Sequence, residues 1–215
     1  MARGRKKVEN PETARRILTA AEGIFAERGL AGARTDEIAA AARANKAMLY
    51  YYYGDKQRLH RAVLERLFRQ LRGSIEAAER VSPRSPSPRE RLLAFVNGYF
   101  DFVATHPNYP RLIQREVMEA GRSLEWIAGN YFRPFHRRLS RTIEEGMATG
   151  EFRRVDPHNT VFTIIAITVF YFAAAPVLSE VLGRNALSPR AVAARKRALI
   201  DFLVHGLFRP EARSR

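Results

Sequence analysis

Apolar residues recur along most of this chain at intervals of three and four, the spacing of amphipathic helices. In "NPETARRILTAAEGIFAERGL", Ile17, Leu18, Ala21, Ile24 and Phe25 fall on one stripe. Asn10 suits the N-cap of that helix, Pro11 its first turn and Gly29 a left-handed stop. A short second helix is expected to take Thr35 as its cap and run through "DEIAAAA", with Asp36 and Glu37 at its positive end. Asn45 caps a third, "KAMLYYYY", which Gly54 stops. From Asp55 a long helix carries Leu59, Val63, Leu67, Leu71 and Ile75 at intervals of four, until Pro83, Pro86 and Pro88 in "SPRSPSPR" end it. The stretches "RERLLAFVNGYFDFVATH", "RLIQREVMEAG", "LEWIAGNYFRPFHRRLSRTIEEGMATG", "PHNTVFTIIAITVFYFAAAPVLSEVLG" and "SPRAVAARKRALIDFLVHGLF" are each expected to be helical. Asp156 with Pro157 and Ser188 with Pro189 start the last two in cap-then-proline form. A β-branched run near Ile164 is a weak strand signal, and no internal repeat is visible.

The pattern predicts an all-α protein. Residues 1–54 hold an N-terminal arm and a small three-helix unit, which the long helix joins to a larger helical bundle within 55–215.

The run Tyr50, Tyr51, Tyr52 and Tyr53 does not fit simple packing, because consecutive helical side chains step about 100° and cannot all face one core. Leu49 and Tyr53, four apart, share a face expected to pack on Phe25 and Ile38. Lys46, Ala47, Tyr50 and Tyr51 lie on or near the opposite side, with Met48 and Tyr52 at the margin. Two helices joined by a short turn, the second one short, have the sequence form of a helix-turn-helix, whose second helix enters the DNA major groove. A tyrosine there places ring carbons against a thymine methyl or its hydroxyl on a phosphate. From periodicity alone, the alternative that all four rings are core or plain amphipathic surface stays open.

Charge points the same way. The 215 residues carry a formal charge of +15, which favours polyanions, nucleic acid before acidic membrane surfaces. Residues 1–60 hold 12 Lys/Arg against 7 Asp/Glu and the remainder 25 against 15, so charge alone locates no binding face. The absence of cysteine removes disulfides, thiolate catalysis and Cys-based zinc sites. With no secretory apolar stretch in "MARGRKK", a cytoplasmic location is expected. The basic arm "ARGRKK" suits either a minor-groove contact or a solvated tail.

Over about residues 15–65 the chain resembles the TetR family of bacterial transcriptional regulators. "RRILTAAEGIFAERG" looks like that family's first helix, "TDEIAAAA" its second, and "NKAMLYYYYGDK" its recognition helix and the start of the fourth. The aromatic cluster after Leu49, with Lys56 three residues past Tyr53, is the most specific element. The resemblance implies that Thr35 bonds a phosphate, that Lys46, Ala47, Met48 and Tyr50 approach bases, and that Tyr51, Tyr52 and Lys56 hold phosphates; Asn45 caps the recognition helix. The family usually has glycine where Arg43 stands, and a non-glycine residue in a left-handed conformation costs about 1–2 kcal/mol. A phosphate contact by Arg43 would offset that cost. Ala47 replaces another frequent glycine and favours the helix by up to about 1 kcal/mol.

The resemblance also implies a bundle that holds a small-molecule effector and a two-fold dimer made by the last two helices. "TVFTIIAITVFYFAAAPVL" is apolar all round, as suits a helix set between its own subunit and a partner. Its length approaches a membrane span, a reading opposed by three threonines, an internal Pro176 and the lack of a second span. Val192, Leu199, Ile200, Leu203 and Leu207 give the last helix a stripe for the same interface. Mechanism also calls for a pair, since a palindrome presents half-sites about 34 Å apart. The bundle aromatics Tyr99, Phe100, Phe102, Trp126, Tyr131, Phe132, Phe135, Phe162, Phe170 and Tyr171 suit a large apolar ligand or plain core, so no pocket residues are assigned. His106, His136 and His158 are too scattered for metal-ligand spacing, and neither a metal nor a cofactor is expected. No nucleotide-loop, zinc-hydrolase, nucleophile-elbow or paired Glu-x-x-His motif supports an enzyme. The expectation is a homodimeric repressor that reads a palindromic operator through residues 46–53 and is released by an effector, with a membrane-associated helical protein or helical-bundle enzyme as the alternative.

Overall fold

The computed structural model describes residues 10–81, 85–118 and 123–210. It is helical: α1 (Pro11–Gly32), α2 (Thr35–Ala41), α3 (Lys46–Tyr53), α4 (Lys56–Arg80), α5 (Pro88–Thr105), α6 (Asn108–Met118), α7 (Ser123–Ile127), α8 (Arg133–Ala148), α9 (Pro157–Ala173), α10 (Ala175–Leu182) and α11 (Pro189–Leu207). The β-branched run near Ile164 lies within α9, in keeping with the helix expected for that stretch. An isolated antiparallel bridge joins Phe152 to Phe208, whose rings stack at 5.0 Å. The arm "ARGRKK", Pro83 and the end of "RLIQREVMEAG" lie outside the described residues.

Packing divides the chain within α4, into a unit ending at Leu67 and one beginning at Phe68. The first unit has Ile17 and Phe25 of α1, Ile38 of α2, Leu49 of α3, and Leu59, Val63, Leu64 and Leu67 of α4 all inaccessible to solvent. Each side chain of this size stabilises by about 1.5–3 kcal/mol when fully buried, so this core holds the short helices, which are marginal alone. Arg66 ties α4 to α1 through Glu22 at 2.5 Å, with a further hydrogen bond donated to the Thr19 hydroxyl. Asn10 caps α1 as expected, accepting from the Glu12 and Thr13 amides. Gly29 breaks the helical path at φ 68°, but one more turn follows to Gly32, so the glycine kinks α1 where a stop was expected.

In the second unit, Ser87 and Glu90 form a reciprocal capping box at the start of α5. A Cβ on Gly98 would lie 2.7 Å from the Ile75 Cα, so α4 and α5 meet backbone to backbone there, and the Ser74 hydroxyl donates to the Gly98 carbonyl at 2.9 Å. Two stretches expected as single helices are interrupted, each at a proline. Between α7 and α8 the path widens into a π-helical turn over Ala128–Phe132, where the Arg133 amide reaches back five residues to Ala128. Pro134 has no N–H to donate, and its ring would collide with the carbonyl four residues back. The stretch 157–183 breaks at Ala174, and α9 and α10 are bent by 69°, because Pro176 cannot continue the helix past the Phe172 carbonyl. Among the described residues no single helix is long and apolar enough to cross a membrane, and the pair that would suffice by length and composition is this bent one.

Candidate nucleic-acid interface

The turn from α2 to α3 sets the geometry. The Ala44 amide donates to the Ala39 carbonyl at 2.9 Å and the Arg43 amide to the Ala40 carbonyl at 3.0 Å, the paired bonds of a Schellman motif. That motif needs a left-handed residue directly after the cap, and Arg43 occupies the position at φ 50°. It is the sole non-glycine residue with positive φ among the described residues. The side chain of Arg43 is exposed and, with Arg15 and Arg16 of α1, borders a shallow hollow beside the end of α2.

Asn45 then caps α3, its side-chain oxygen accepting from the Met48 amide at 2.8 Å. The period of one short helix sorts the side chains. Leu49 is fully buried, Met48, Tyr52 and Tyr53 are half-buried, and Lys46, Ala47, Tyr50 and Tyr51 are exposed. Tyr50 is 43% and Tyr51 46% accessible, so neither ring belongs to the core of the first unit.

The other two tyrosines are anchored to α1. The Tyr53 hydroxyl donates to the Ala14 carbonyl at 2.8 Å, and partial burial raises its pKa. The Tyr52 hydroxyl accepts from the Asn10 amide at 3.0 Å and donates to the Asn10 carbonyl, while its ring edge meets Tyr51 at 5.1 Å. Asn10 is also the cap of α1, so α3 and the start of α1 are joined at one residue.

Three expected roles change in detail. Thr35 is not the cap of α2. Arg34 takes that position in extended backbone with no side-chain bond, and Thr35 is the first helical residue, half-buried. Its hydroxyl has no hydrogen-bond partner among the described residues. The Lys56 ammonium donates to the Ala33 carbonyl at 3.0 Å and the Ala31 carbonyl at 3.3 Å, so two of its three protons already hold the end of α1. Lys46 pairs with Asp36 at 2.9 Å across the turn, which raises the lysine pKa chiefly through that hydrogen bond; Arg34 opposes the shift slightly. This pair is solvent-exposed and screened by salt, so the ammonium can exchange onto another anion. The role of Asp36 as its tether was not visible in sequence, where Asp36 read simply as a first-turn acid. Arg34 was passed over because Thr35, the better capping residue, stands beside it.

Two family models match the chain: "Bacterial regulatory proteins, tetR family" over residues 17–63 and "Tetracyclin repressor-like, C-terminal domain" over residues 88–203. The HTH-type transcriptional repressor SCO4008 of Streptomyces coelicolor is 42% identical over 113 residues, which cover 52% of this chain and 54% of that protein. The HTH-type transcriptional repressor NicS of Pseudomonas putida is 28% identical over 204 residues, covering 90% of this chain and 91% of that protein. In fold, the chain is similar to the ketosteroid transcriptional regulator KstR2 of Mycobacterium tuberculosis, with a TM-score of 0.74 at 17% identity over 95% of this chain and 98% of that one.

Proposed function

The chain belongs to the TetR family of transcriptional regulators, and from that premise we propose that it is a homodimeric repressor whose α3 reads a palindromic operator and which a small-molecule effector releases. Regulators of this family bind DNA through the helix-turn-helix and are not enzymes.

The observation that carries the reading is the outward side of α3. Tyr50, Tyr51, Lys46 and Ala47 are exposed on a helix whose opposite side, at Leu49, is sealed into the core. On this reading Lys46, Ala47, Met48 and Tyr50 face bases. Thr35, Arg43 and Tyr51 hold phosphates, as do Tyr52 and Lys56 with whatever donor capacity their ties to α1 leave. Asn45 keeps the helix start in place. Residues 1–54 act as the reading head, and residues 55–215 bind effector and partner; the first turns of α4 complete the head's core.

Large apolar side chains left exposed support pairing through the last helices: Phe162 and Phe170 on α9, Val177 and Val181 on α10, and Phe202 on α11. A cleft of about 250 Å³ at the α9–α10 bend is a candidate effector site, with Val103, Phe172, Pro176 and Leu187 on its apolar walls and Arg111 and Asn185 as polar groups. Those walls suit a small, mainly apolar molecule with an anionic or hydrogen-bonding end. If the effector favours one packing of the bundle, α4 carries the difference to the head, and DNA must weaken effector binding by the same factor.

The test is selection of bound fragments from the source genome, followed by anisotropy titration of the recovered site and sedimentation of the free protein. A dimer that prefers a palindrome over scrambled DNA is expected. A monomer, or equal affinity for both sequences, would overturn the reading.

A further inference from the structure

We propose that a recess between α5 and α8 binds a small anion with adjacent phosphate groups, of the diphosphate class. Its charged lining is Arg91 on α5 with Arg137, Arg138, Arg141 and Glu145 on α8. The α8 residues recur at intervals of three and four, so they share one face of that helix. The recess measures about 560 Å3, within the roughly 300–1,000 Å3 of small-molecule sites.

Two of these arginines are committed and two are not. Arg91 pairs with Glu145 and also donates to the Pro86 carbonyl at 3.2 Å. Arg138 pairs with Glu79 near the end of α4. Arg137 and Arg141 are exposed, and neither has a hydrogen-bond or ion-pair partner among the described residues. They stand four apart on α8, where like charges repel and weaken the helix slightly. Glu145, four residues beyond Arg141, is placed to relieve that repulsion but is turned to Arg91 instead. Even with Glu79 set against Arg138, the recess keeps the charge of the two unpaired arginines.

The chemistry of the lining selects the ligand. Guanidinium groups present planar forks of N–H donors that match phosphate oxygens, and they stay charged at any ordinary pH. A cleft lined by one sign of charge also concentrates solutes of the other sign. Because the recess is open to solvent, any single ion pair in it is screened and contributes little. A monovalent anion is therefore held weakly, whereas adjacent phosphates engage Arg137 and Arg141 together. A concave frame of two helices, with a carboxylate in its lining, suits a compact anion better than an extended nucleic-acid backbone. A ligand that also recruits Arg91 and Arg138 draws them off Glu145 and Glu79, loosening the ties of α8 to α5 and α4. The site uses no residue of α3 and does not depend on the DNA-binding reading.

The experiment titrates the full chain with inorganic pyrophosphate by calorimetry, in a phosphate-free buffer at low ionic strength. Saturable binding is expected, tighter than that of orthophosphate and weakened by added salt. The Arg137→Gln/Arg141→Gln double variant, whose side chains are both exposed, should weaken it about tenfold or more with helical content unchanged. Arg43→Gln/Lys46→Gln, on the proposed DNA-reading side, should leave it intact. Glu145→Gln, which removes the carboxylate of the lining, should tighten it. Adenosine diphosphate binding more tightly than pyrophosphate would identify a nucleotide as the source of the phosphates, and equal affinity an inorganic one; either result supports the site. No saturable binding, or binding undiminished in the Arg137→Gln/Arg141→Gln variant, would overturn the proposal. So would a loss of DNA affinity in that variant without pyrophosphate binding to the parent chain, which would assign the recess to a nucleic-acid backbone.

Discussion

Arg43→Gly should make the protein more stable and a weaker binder of DNA. Arg43 is the left-handed residue of the Schellman turn, at φ 50°. Relieving that strain is worth about 1–2 kcal/mol, and the extra freedom glycine gives the unfolded chain takes back about 0.4–1 kcal/mol. The net gain should be about 0.5–1 kcal/mol, read as a higher urea midpoint at unchanged m-value. Loss of the guanidinium acts in the opposite direction on binding. Each lost phosphate contact flattens the log-affinity against log-salt slope by about 0.9, so a two-fold dimer should lose about 1.8, with the preference for operator over scrambled DNA retained. Anisotropy titrations from low to moderate salt measure that slope. Lower stability would refute the strain argument. An unchanged slope would show that the Arg43 side chain reaches no phosphate, leaving its presence in the turn unexplained.

Tyr50→Ala should cost about 1–3 kcal/mol of specific binding per half-site and leave stability within about 0.5 kcal/mol; a large loss of stability would put that ring in the core. Tyr53→Phe should do the reverse, since removing the bond to the Ala14 carbonyl costs about 0.5–1.5 kcal/mol of stability, read by urea unfolding, and leaves operator preference unchanged. Gly98→Ala should destabilise by about 1–3 kcal/mol because the new methyl meets the backbone of Ile75 and Ser74, and thermal unfolding will show it. Burial raises the pKa of Tyr99 and of Tyr109 above the usual tyrosine value. Folding therefore holds their protons more tightly, and their contribution is complete below about pH 10 and lost as pH rises beyond it. Paired Tyr99→Phe and Tyr109→Phe changes should flatten alkaline unfolding followed by far-UV circular dichroism.

Much of the reading head was legible because its signals are local. A cap, a glycine stop and a 3.6-residue period lie within a few residues of one another, and they placed α3 between Asn45 and Gly54 with Leu49 inward and Tyr50 and Tyr51 outward. The left-handed turn at Arg43 was anticipated only through the family resemblance, because the related regulators usually carry glycine at that position. The buried stripe of α4, Leu59 through Ile75, follows from spacing alone.

The sequence by itself determined where most of the helical stretches lie, which side of the amphipathic ones is apolar, and that one short helix must leave aromatic rings outside the core. The tertiary structure decided which groups meet across long stretches of chain. It joined Tyr52 to Asn10, turned Lys56 toward the end of α1, bent the apolar stretch 157–183 by 69°, and brought His136 to His158. Periodicity records the direction of a side chain about its own helix axis, whereas the partner it finds depends on where a distant segment returns, and no local pattern encodes that.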